Sequence, residues 1–250
     1  HAYQCVGARD EVPVPLRVGV EFLSRAPELL VVSASGSGVD VFDLDACTAA
    51  GVLAVNQAGA NAQSVAEHAL AMIIGVQRAI VRVDRMLRSG WQGSRLEFMG
   101  TDLARKTVGI VGIGNIGTRL AEICSQGFGC TVLAADPYLD EAEIETRGAH
   151  GVTFGQLLQQ ADIVSVHTPL TSATQGLFDA GAFAQMKAGA VFINTARGSI
   201  HDEDALADAL ASGHLGGAGL DVWEVEPPQP DHRLMQMKNV IATPHVAGCT

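Results

Sequence analysis

The stretch Val108-Gly-Ile-Val-Gly-Ile-Gly-Asn-Ile-Gly117 decides the fold that this sequence predicts. A short apolar run, Val108–Val111, leads directly into G-x-G-x-x-G and then into a helical pattern. In a dinucleotide-binding fold, Gly112 would form the tight turn, Gly114 would let the backbone approach a pyrophosphate, and Gly117 would let the helix pack on the strand. The helix N-terminus would offer unpaired N–H groups to phosphates. The stretch predicts a Rossmann dinucleotide site, and the alternative is a glycine-rich turn without a ligand.

Asp136 indicates which dinucleotide this site would hold. It stands nineteen residues after Gly117 and directly follows a second apolar run, Thr131–Ala135. A carboxylate at that place binds the ribose hydroxyls of NAD and repels the 2′-phosphate of NADP. Since no arginine follows Asp136 directly, we expect NAD as the cofactor. The alternative role for Asp136 is that of a turn residue before Pro137.

From Lys106 onward, short apolar runs alternate with helical patterns. The runs are apolar throughout, which is typical of parallel strands covered on both faces. Alternating strands and helices predict an α/β protein with a doubly wound parallel sheet. The predicted strands are Val108–Val111, Thr131–Ala135, Ile163–His167, Ala190–Thr195, Gly217–Val222 and Asn239–Thr243. The main predicted helices are Ile116–Gln126, Phe154–Gln160 and Asp202–Ser212.

The N-terminal part predicts two more strands, Leu29–Ser33 and Val52–Asn56. Ser64 and Glu67 have the spacing of a capping box, and a long helical pattern continues from there to about Ser89-Gly90. Such a helix would serve as a spine between domains or as a dimer contact, and an ordinary core helix is the alternative.

Composition excludes several classes of protein. The 250 residues carry a net charge of −11 without a Lys/Arg cluster, so we expect neither a nucleic-acid nor a membrane partner. No apolar run has the length of a membrane span, and no signal peptide is recognised. The five scattered cysteines indicate reduced thiols in the cytoplasm, without a disulfide framework or a metal site. The chain begins at His1 and is interpreted as incomplete at both ends.

Three polar segments follow predicted strands near the C-terminus, where open α/β sheets bind their ligands. Hydride exchange between a hydroxy acid and a nicotinamide needs a cation for the carboxylate, and Arg197 could provide it. A histidine such as His245 could exchange the hydroxyl proton, and a carboxylate such as Glu226 could orient that histidine. From residue chemistry alone, His245 could equally be a loop residue and Glu226 a surface carboxylate.

Together these motifs resemble the D-isomer-specific 2-hydroxyacid dehydrogenase family, whose members include phosphoglycerate dehydrogenase and glyoxylate/hydroxypyruvate reductases. The resemblance extends from about Leu29 to Gly248. The matching motifs are Gly36-Ser-Gly-Val-Asp40, Asn61-Ala-Gln-Ser-Val-Ala-Glu-His-Ala-Leu70, Gly112-Ile-Gly-Asn-Ile-Gly117, His167-Thr-Pro-Leu170, Asn194-Thr-Ala-Arg-Gly198, Gly219-Leu-Asp-Val-Trp223, Glu226-Pro-Pro228 and Thr243-Pro-His245.

The resemblance implies an NAD-dependent oxidoreductase acting on a small D-2-hydroxy acid or 2-keto acid. Arg197 would bind the substrate carboxylate, and His245 with Glu226 would form the acid–base pair. Ser37 and Gly38 would bind substrate beside Arg197 and His245. The cofactor would be bound by Gly112, Gly114, Asn115, Ile116, Gly117, Asp136, Thr168, Pro169, Thr195, Ala196, Arg197, Asp221, His245 and Gly248. His68 and His167 would be structural.

The resemblance also implies two domains and a homodimer. Residues 1–58 would form part of a smaller, incomplete flavodoxin-like α/β substrate domain, 59–245 the Rossmann domain, and 246–250 the start of the return to the substrate domain. Ser37, and Ser33 or Ala34, depart from the residues common in the family, which leaves the identity of the hydroxy acid open. Arg233 also departs, since it follows His232 where proline is common. Two alternatives share the scaffold: an NAD(H)-sensing corepressor-like binding protein, and a formate or phosphonate dehydrogenase.

Overall fold

The computed structural model describes residues 1–6 and 12–250, which divide into two units. The first unit comprises His1–Ala62 with Gly248–Thr250, and the second comprises Gln63–Ala247. The division therefore falls after residue 62 where the sequence predicted 58, and after residue 247 where it predicted 245.

The first unit contains a parallel sheet of three strands in the order β1-β2-β3. Its elements are β1 (Ala2–Cys5), α1 (Val20–Ser24), β2 (Val31–Ala34), α2 (Leu44–Ala50) and β3 (Leu53–Val55). The side chain of Asp43 caps α2 by accepting a hydrogen bond from the Ala46 N–H, and Gly51 ends the helix in the left-handed conformation. Strands β2 and β3 overlap the predicted ranges, whereas β1 was not predicted.

The second unit contains a parallel sheet of seven strands in the order β10-β9-β8-β7-β4-β5-β6. The strands are β4 (Thr107–Val111), β5 (Thr131–Ala135), β6 (His150–Gly151), β7 (Ile163–Val166), β8 (Val191–Asn194), β9 (Gly217–Leu220) and β10 (Val240–Ala242). From β4 the chain first builds outward through β5 and β6, and then returns to add β7 on the other side. This reversal creates the switch point of a doubly wound sheet. The predicted Rossmann fold is confirmed, and the two-residue strand β6 is an addition to it.

The helices of the second unit follow the predicted alternation. They are α3 (Ala62–Gln77), α4 (Ile80–Arg88), α5 (Asn115–Glu122), α6 (Glu141–Thr146), α7 (Phe154–Gln160), α8 (Ala180–Gln185) and α9 (Glu203–Ala211). A π-helical turn, Ile123–Gly127, continues α5. Helices α6 to α9 each begin at a residue whose side chain accepts a backbone N–H, namely Asp140, Thr153, Asp179 and Asp202.

The long helix predicted from Ser64 to Ser89-Gly90 is wrong in two respects. The helical path breaks between α3 and α4, because Ala79 adopts the left-handed conformation with φ 51°. Ser64 lies inside α3 and not at its N-cap, so the predicted capping box does not start the helix. Helix α3 buries six residues, whereas α4 buries none. Of these two helices, α3 is therefore the one that packs into the core of the second unit.

Two apolar clusters cover the two faces of the seven-stranded sheet. Neighbouring strand residues point to opposite faces, so Ile110 packs into one cluster and Val111 into the other. All four residues of β7 are buried, as expected of a central parallel strand. Both faces of the sheet are therefore covered by apolar side chains, and the polar loops that could bind a ligand lie at the ends of its strands.

Within residues 1–6 and 12–250, no single helix has both the length and the apolar character needed to cross a bilayer. Helices α3 and α4 meet that criterion only when combined across a bend of 63°. In the same residues, no group of three or more His, Cys, Asp or Glu side chains is arranged to hold a metal ion.

Candidate functional site

The carboxyl ends of five neighbouring strands gather the polar loops of the second unit at one edge of the sheet. The glycine turn follows β4, and Thr168 and Pro169 follow β7. The segments 195–198, 221–228 and 243–247 follow β8, β9 and β10 respectively. Because parallel strands end at the same edge, residues far apart in the chain become neighbours there.

Each of the three glycines in the turn between β4 and α5 has a different steric surrounding. Gly112 has φ 86°, and a Cβ on it would lie 2.9 Å from backbone atoms of His167 and Thr168. A Cβ on Gly117 would meet the carbonyl oxygen of Gly112 at 2.4 Å. A Cβ on Gly114 would meet nothing within 4 Å. Two glycines thus allow close packing, and the third leaves open space in front of the turn, as the motif predicts.

The N-terminus of α5 suits an anionic ligand. Its N-cap residue is Gly114, which has no side chain to bond the first N–H groups of the helix. Asn115 and Ile116 occupy the first turn of this eight-residue helix. The N–H groups of such a turn have no partner within the helix, and they carry partial positive charge. Together with the open space at Gly114, they could hold the pyrophosphate of a dinucleotide.

Asp136 lies beside the glycine turn. Its Oδ2 accepts the N–H of Ile113 at 3.2 Å, and its Oδ1 accepts the N–H of Tyr138 at 3.1 Å. A carboxylate oxygen can accept two hydrogen bonds, so each oxygen retains capacity for one ribose hydroxyl. Asp136 therefore organises the turn and remains able to bind a ribose, so both roles considered for it are compatible. These residues fit an NAD molecule.

His245 and Glu226 form the predicted pair. The Nδ1 of His245 lies 2.8 Å from Oε2 of Glu226, and Oε1 of Glu226 accepts the N–H of Trp223 at 3.0 Å. The side chains of His245 and Glu226 are 28% and 17% exposed, respectively. Since Nδ1 donates to the carboxylate, Nε2 is the nitrogen left to exchange a proton.

The pKa values of Glu226 and His245 are shifted in opposite directions. Burial pushes the pKa of Glu226 upward, but hydrogen bonds from His245 and from the Trp223 N–H outweigh burial and hold that pKa below its usual value. The hydrogen bond to Glu226 raises the pKa of His245 above its usual value, although burial opposes it. The carboxylate therefore stays ionised, and the protonated imidazole is favoured.

Arg197 is close to this pair. Its positive charge lowers the pKa of Glu226 and opposes the rise in the pKa of His245. A Cβ on Gly198 would lie 2.0 Å from the carbonyl carbon of Trp223, so only glycine allows the two loops to meet. The structure thus brings Arg197, Glu226 and His245 together at one edge of the sheet.

Asn194 holds the turn that carries Arg197. Its Nδ2 donates to the carbonyl oxygen of Arg197 at 2.9 Å, and its Oδ1 accepts the N–H of Ala196 at 2.9 Å. Asn194 stands in one of the motifs that resemble the family, but no role was predicted for it. An asparagine that ends a buried strand just before a turn is the local signal that could have revealed this role.

Asp221 is fully buried beneath the loop of His245. Its Oδ1 accepts the hydroxyl of Thr243 at 2.5 Å and the N–H of Val246 at 2.9 Å, while its Oδ2 accepts the N–H of Ala247 at 2.9 Å. The backbone N–H of His245 donates to the Asp221 carbonyl at 2.6 Å. The resemblance places Asp221 at the cofactor, and its contacts in this structure give it the further role of an anchor for the loop.

The two histidines expected to be structural make only internal contacts. Nε2 of His68 lies 3.1 Å from the Thr243 hydroxyl and 3.6 Å from Oδ1 of Asp221. Nε2 of His167 lies 2.8 Å from the Ser165 hydroxyl, and burial lowers the pKa of His167 to about 4. His68 thus supports the Asp221 anchor, and His167 stays neutral.

The remaining predicted residues are distributed over both units. Thr195 is buried at the end of β8, and its Oγ1 has no hydrogen-bond partner among the residues that the structure describes. Ser37, Gly38 and Gly248 belong to the first unit. There the Ser37 hydroxyl donates to Oδ1 of Asn61 at 2.9 Å, a partner that the sequence analysis did not identify.

Comparisons with known proteins show which family this chain belongs to. Residues 70–247 match the family described as D-isomer specific 2-hydroxyacid dehydrogenase, NAD binding domain. A D-3-phosphoglycerate dehydrogenase of Archaeoglobus fulgidus is 39% identical over 99% of this chain and 46% of its own length. The chain spans less than half the length of this relative and of a D-3-phosphoglycerate dehydrogenase of Mycobacterium leprae, which is 44% identical over 93% of this chain.

Solved structures of similar fold include two named dehydrogenases. The apo D-mandelate dehydrogenase of Rhodotorula graminis has a TM-score of 0.88 at 31% identity, over 100% of this chain and 74% of its own. The D-lactate dehydrogenase of Aquifex aeolicus, complexed with NAD and lactic acid, has a TM-score of 0.84 at 31% identity, over 100% and 77%. Since the family match covers more than half of the chain, the chain belongs to the D-isomer specific 2-hydroxyacid dehydrogenase family and carries its NAD-binding domain.

Proposed function

We propose that the protein is an NAD-dependent dehydrogenase that transfers hydride between NAD(H) and a small D-2-hydroxy acid or its 2-keto acid. The observation that carries this proposal is the meeting of Arg197 with the His245–Glu226 pair at the sheet edge that holds the glycine turn. A guanidinium, an acid–base pair and a dinucleotide cradle are the groups that this reaction requires.

Each side chain has a distinct task in the proposed reaction. Arg197 binds the substrate carboxylate through its planar N–H groups. The Nε2 of His245 donates a proton to the keto oxygen during reduction and accepts it back during oxidation. Glu226 keeps the ring oriented and stabilises its protonated form. NAD(H), when bound, supplies or accepts the hydride.

The NAD molecule would be held by groups of the second unit. The first turn of α5, with Gly114, Asn115 and Ile116, would bind the pyrophosphate, and Asp136 would bind the adenosine ribose. The unpartnered Oγ1 of Thr195 is a buried polar atom at the carboxyl end of β8, and we assign it to the nicotinamide half. Ser37 and Gly38 are proposed to bind substrate.

The substrate class is supported by the relatives. Three of the matched proteins are named for phosphoglycerate, mandelate and lactate, which are all 2-hydroxy acids. The NAD(H)-sensing alternative without turnover is not favoured, because these relatives are named as dehydrogenases.

We also propose, from the family resemblance, that the protein is a cytoplasmic homodimer.

The proposal is tested by steady-state reduction of glyoxylate, pyruvate and hydroxypyruvate with NADH, and by oxidation of D-3-phosphoglycerate with NAD. His245→Asn is expected to lower turnover by about 10²–10⁴-fold, because it removes the proton donor. NADH affinity, measured by nicotinamide fluorescence, should stay within about twofold, since the variant leaves the glycine turn and Asp136, the proposed sites of the pyrophosphate and the ribose, unchanged.

His150→Asn serves as the matched control, because His150 is an exposed histidine on β6. It should leave turnover unchanged. Near-normal turnover by His245→Asn would contradict the assignment of the proton donor. Absence of turnover by the wild-type protein on all four substrates, despite NADH binding, would favour a nucleotide-sensing role.

A further inference from the structure

Arg147 reaches the glycine turn from a distant part of the chain. It follows α6 as its C-cap residue, eleven positions after Asp136. Its Nη1 donates to the carbonyl oxygen of Ile113 at 2.8 Å. Oδ2 of Asp136 accepts the N–H of that same Ile113 at 3.2 Å. A cation and an anion thus hold one residue of the turn, one at its carbonyl and the other at its N–H.

The hydrogen bond from Arg147 to the neutral Ile113 carbonyl leaves the positive charge of the guanidinium in place. No carboxylate within 1–6 and 12–250, the residues that the structure describes, forms a salt bridge with it. The side chain is half-buried, and the hydrogen bond to Ile113 uses one of its five N–H groups. A guanidinium remains protonated at any physiological pH. A positive charge and the Asp136 carboxylate therefore both contact Ile113 in the glycine turn.

We propose that Arg147 is a second determinant of cofactor selectivity, whose guanidinium favours the 2′-phosphate of NADP while Asp136 disfavours it. The inference rests on the proposed function in one respect, namely that the glycine turn binds a nicotinamide nucleotide. Arginine pairs strongly with phosphate, and a carboxylate repels it. The residues directly after Asp136 contain no arginine, because Arg147 comes from the far end of α6.

A purely structural role for Arg147 makes a different prediction. If the side chain only holds the Ile113 carbonyl, its removal distorts the pyrophosphate site, which NAD and NADP share. Affinity for both nucleotides would then fall by the same factor. If the guanidinium also faces the 2′-phosphate, its removal weakens the phosphorylated nucleotide selectively. The ratio of the two dissociation constants therefore separates the two roles.

The experiment measures dissociation constants for NADH and NADPH by nicotinamide fluorescence, without a keto acid, in the full-length protein. The variants are Asp136→Ala, Arg147→Met and the double variant, with Arg147→Lys as the conservative change. Arg85→Met is the control for loss of one positive charge, since Arg85 is exposed on α4 in the same unit.

We expect Asp136→Ala to tighten NADPH binding by about tenfold or more, and Arg147→Met in that background to reverse most of the gain. Arg147→Met alone should weaken NADPH by about tenfold and NADH by less than about twofold. Arg147→Lys should retain part of the NADPH affinity, because it keeps the charge and loses the planar fork. Arg85→Met should change neither constant.

Two results would overturn the inference while the proposed function stands. One is an equal loss of NADH and NADPH affinity in Arg147→Met, with thermal unfolding unchanged. The other is a double variant that binds NADPH as tightly as Asp136→Ala does alone. Failure of the wild-type protein to bind either nucleotide would instead overturn the nucleotide site itself, and with it both proposals.

Discussion

His245 shows at the scale of one residue how the fold prepares an acid–base group. Its backbone has φ 56°, a conformation that costs a non-glycine residue about 1–2 kcal/mol. Asp221 offsets this cost by accepting the N–H of His245 at its carbonyl and the next two N–H groups at its carboxylate. The loop is thereby held before any ligand arrives, which is how strained residues are maintained at functional sites.

The shifted pKa of His245 leads to a prediction at this scale. Reduction of a keto acid needs the protonated ring, so the rate falls as pH rises through the pKa of His245. Glu226 raises that pKa through its hydrogen bond. Glu226→Gln removes the negative charge, lowers the pKa, and should move the falling limb of kcat/KM to lower pH. The profile is measured for reduction with NADH between about pH 5 and 9.

Oxidation of the hydroxy acid needs the neutral ring, so its rising limb should move to lower pH in the same variant. Glu224→Gln is the control, because Glu224 is an exposed carboxylate two residues away. A profile for Glu226→Gln that coincides with the wild-type profile would show that Glu226 does not set the pKa of the proton donor.

At the scale of elements, the junction of β4 and α5 determines how close a ligand can come. The turn is tight at Gly112, packed at Gly117 and open at Gly114. Extra atoms therefore have opposite consequences at positions only three residues apart. At Gly117 they collide with the protein, and at Gly114 they enter the open space in which we propose that the pyrophosphate binds.

Gly114→Ala and Gly117→Ala form a matched pair that tests this difference. Gly117→Ala should lower the free energy of unfolding by about 1–3 kcal/mol, since its methyl group would overlap the Gly112 carbonyl. Gly114→Ala should leave the unfolding transition unchanged and weaken NADH by about tenfold or more. Unfolding is followed by circular dichroism and binding by fluorescence. Unaltered NADH affinity in Gly114→Ala would contradict the placement of the pyrophosphate.

For the molecule as a whole, α4 is the exposed helix to consider for the proposed homodimer. The apolar residues of α3 are largely buried within the second unit, so they are not available to a partner. Helix α4 buries no residue, and its Ile80 and Leu87 are 53% and 66% exposed. The dimer contact that was expected on one long helix is therefore assigned to α4, and not to α3.

Sedimentation equilibrium tests this assignment. The wild-type protein should sediment as a dimer at micromolar concentration, and Leu87→Glu should shift it toward monomer by burying a charge in an apolar contact. Leu30→Glu is the control, because Leu30 is equally exposed in the first unit. A monomeric wild-type protein, or a Leu87→Glu variant that remains dimeric, would contradict the role of α4.

Local patterns predicted the elements whose signals are local. The strand Thr131–Ala135 and the helix Phe154–Gln160 coincide with their predicted ranges, because apolar runs and helical periodicity involve only nearby residues. The break at Ala79 was not predicted, since alanine is a good helix former and its left-handed conformation has no signature in the neighbouring residues. The two-residue strand β6 was too short to produce a pattern.

Short-range patterns in the amino-acid sequence were enough to predict the alternation of strands and helices, the glycine turn and the residue types that follow each strand. Which of those residues meet depends on the tertiary structure. Asp221 holds Ala247 across 26 positions, and Arg147 reaches Ile113 across 34. Such contacts depend on the order of parallel strands in the sheet and on where each helix returns the chain, and no local pattern encodes that order.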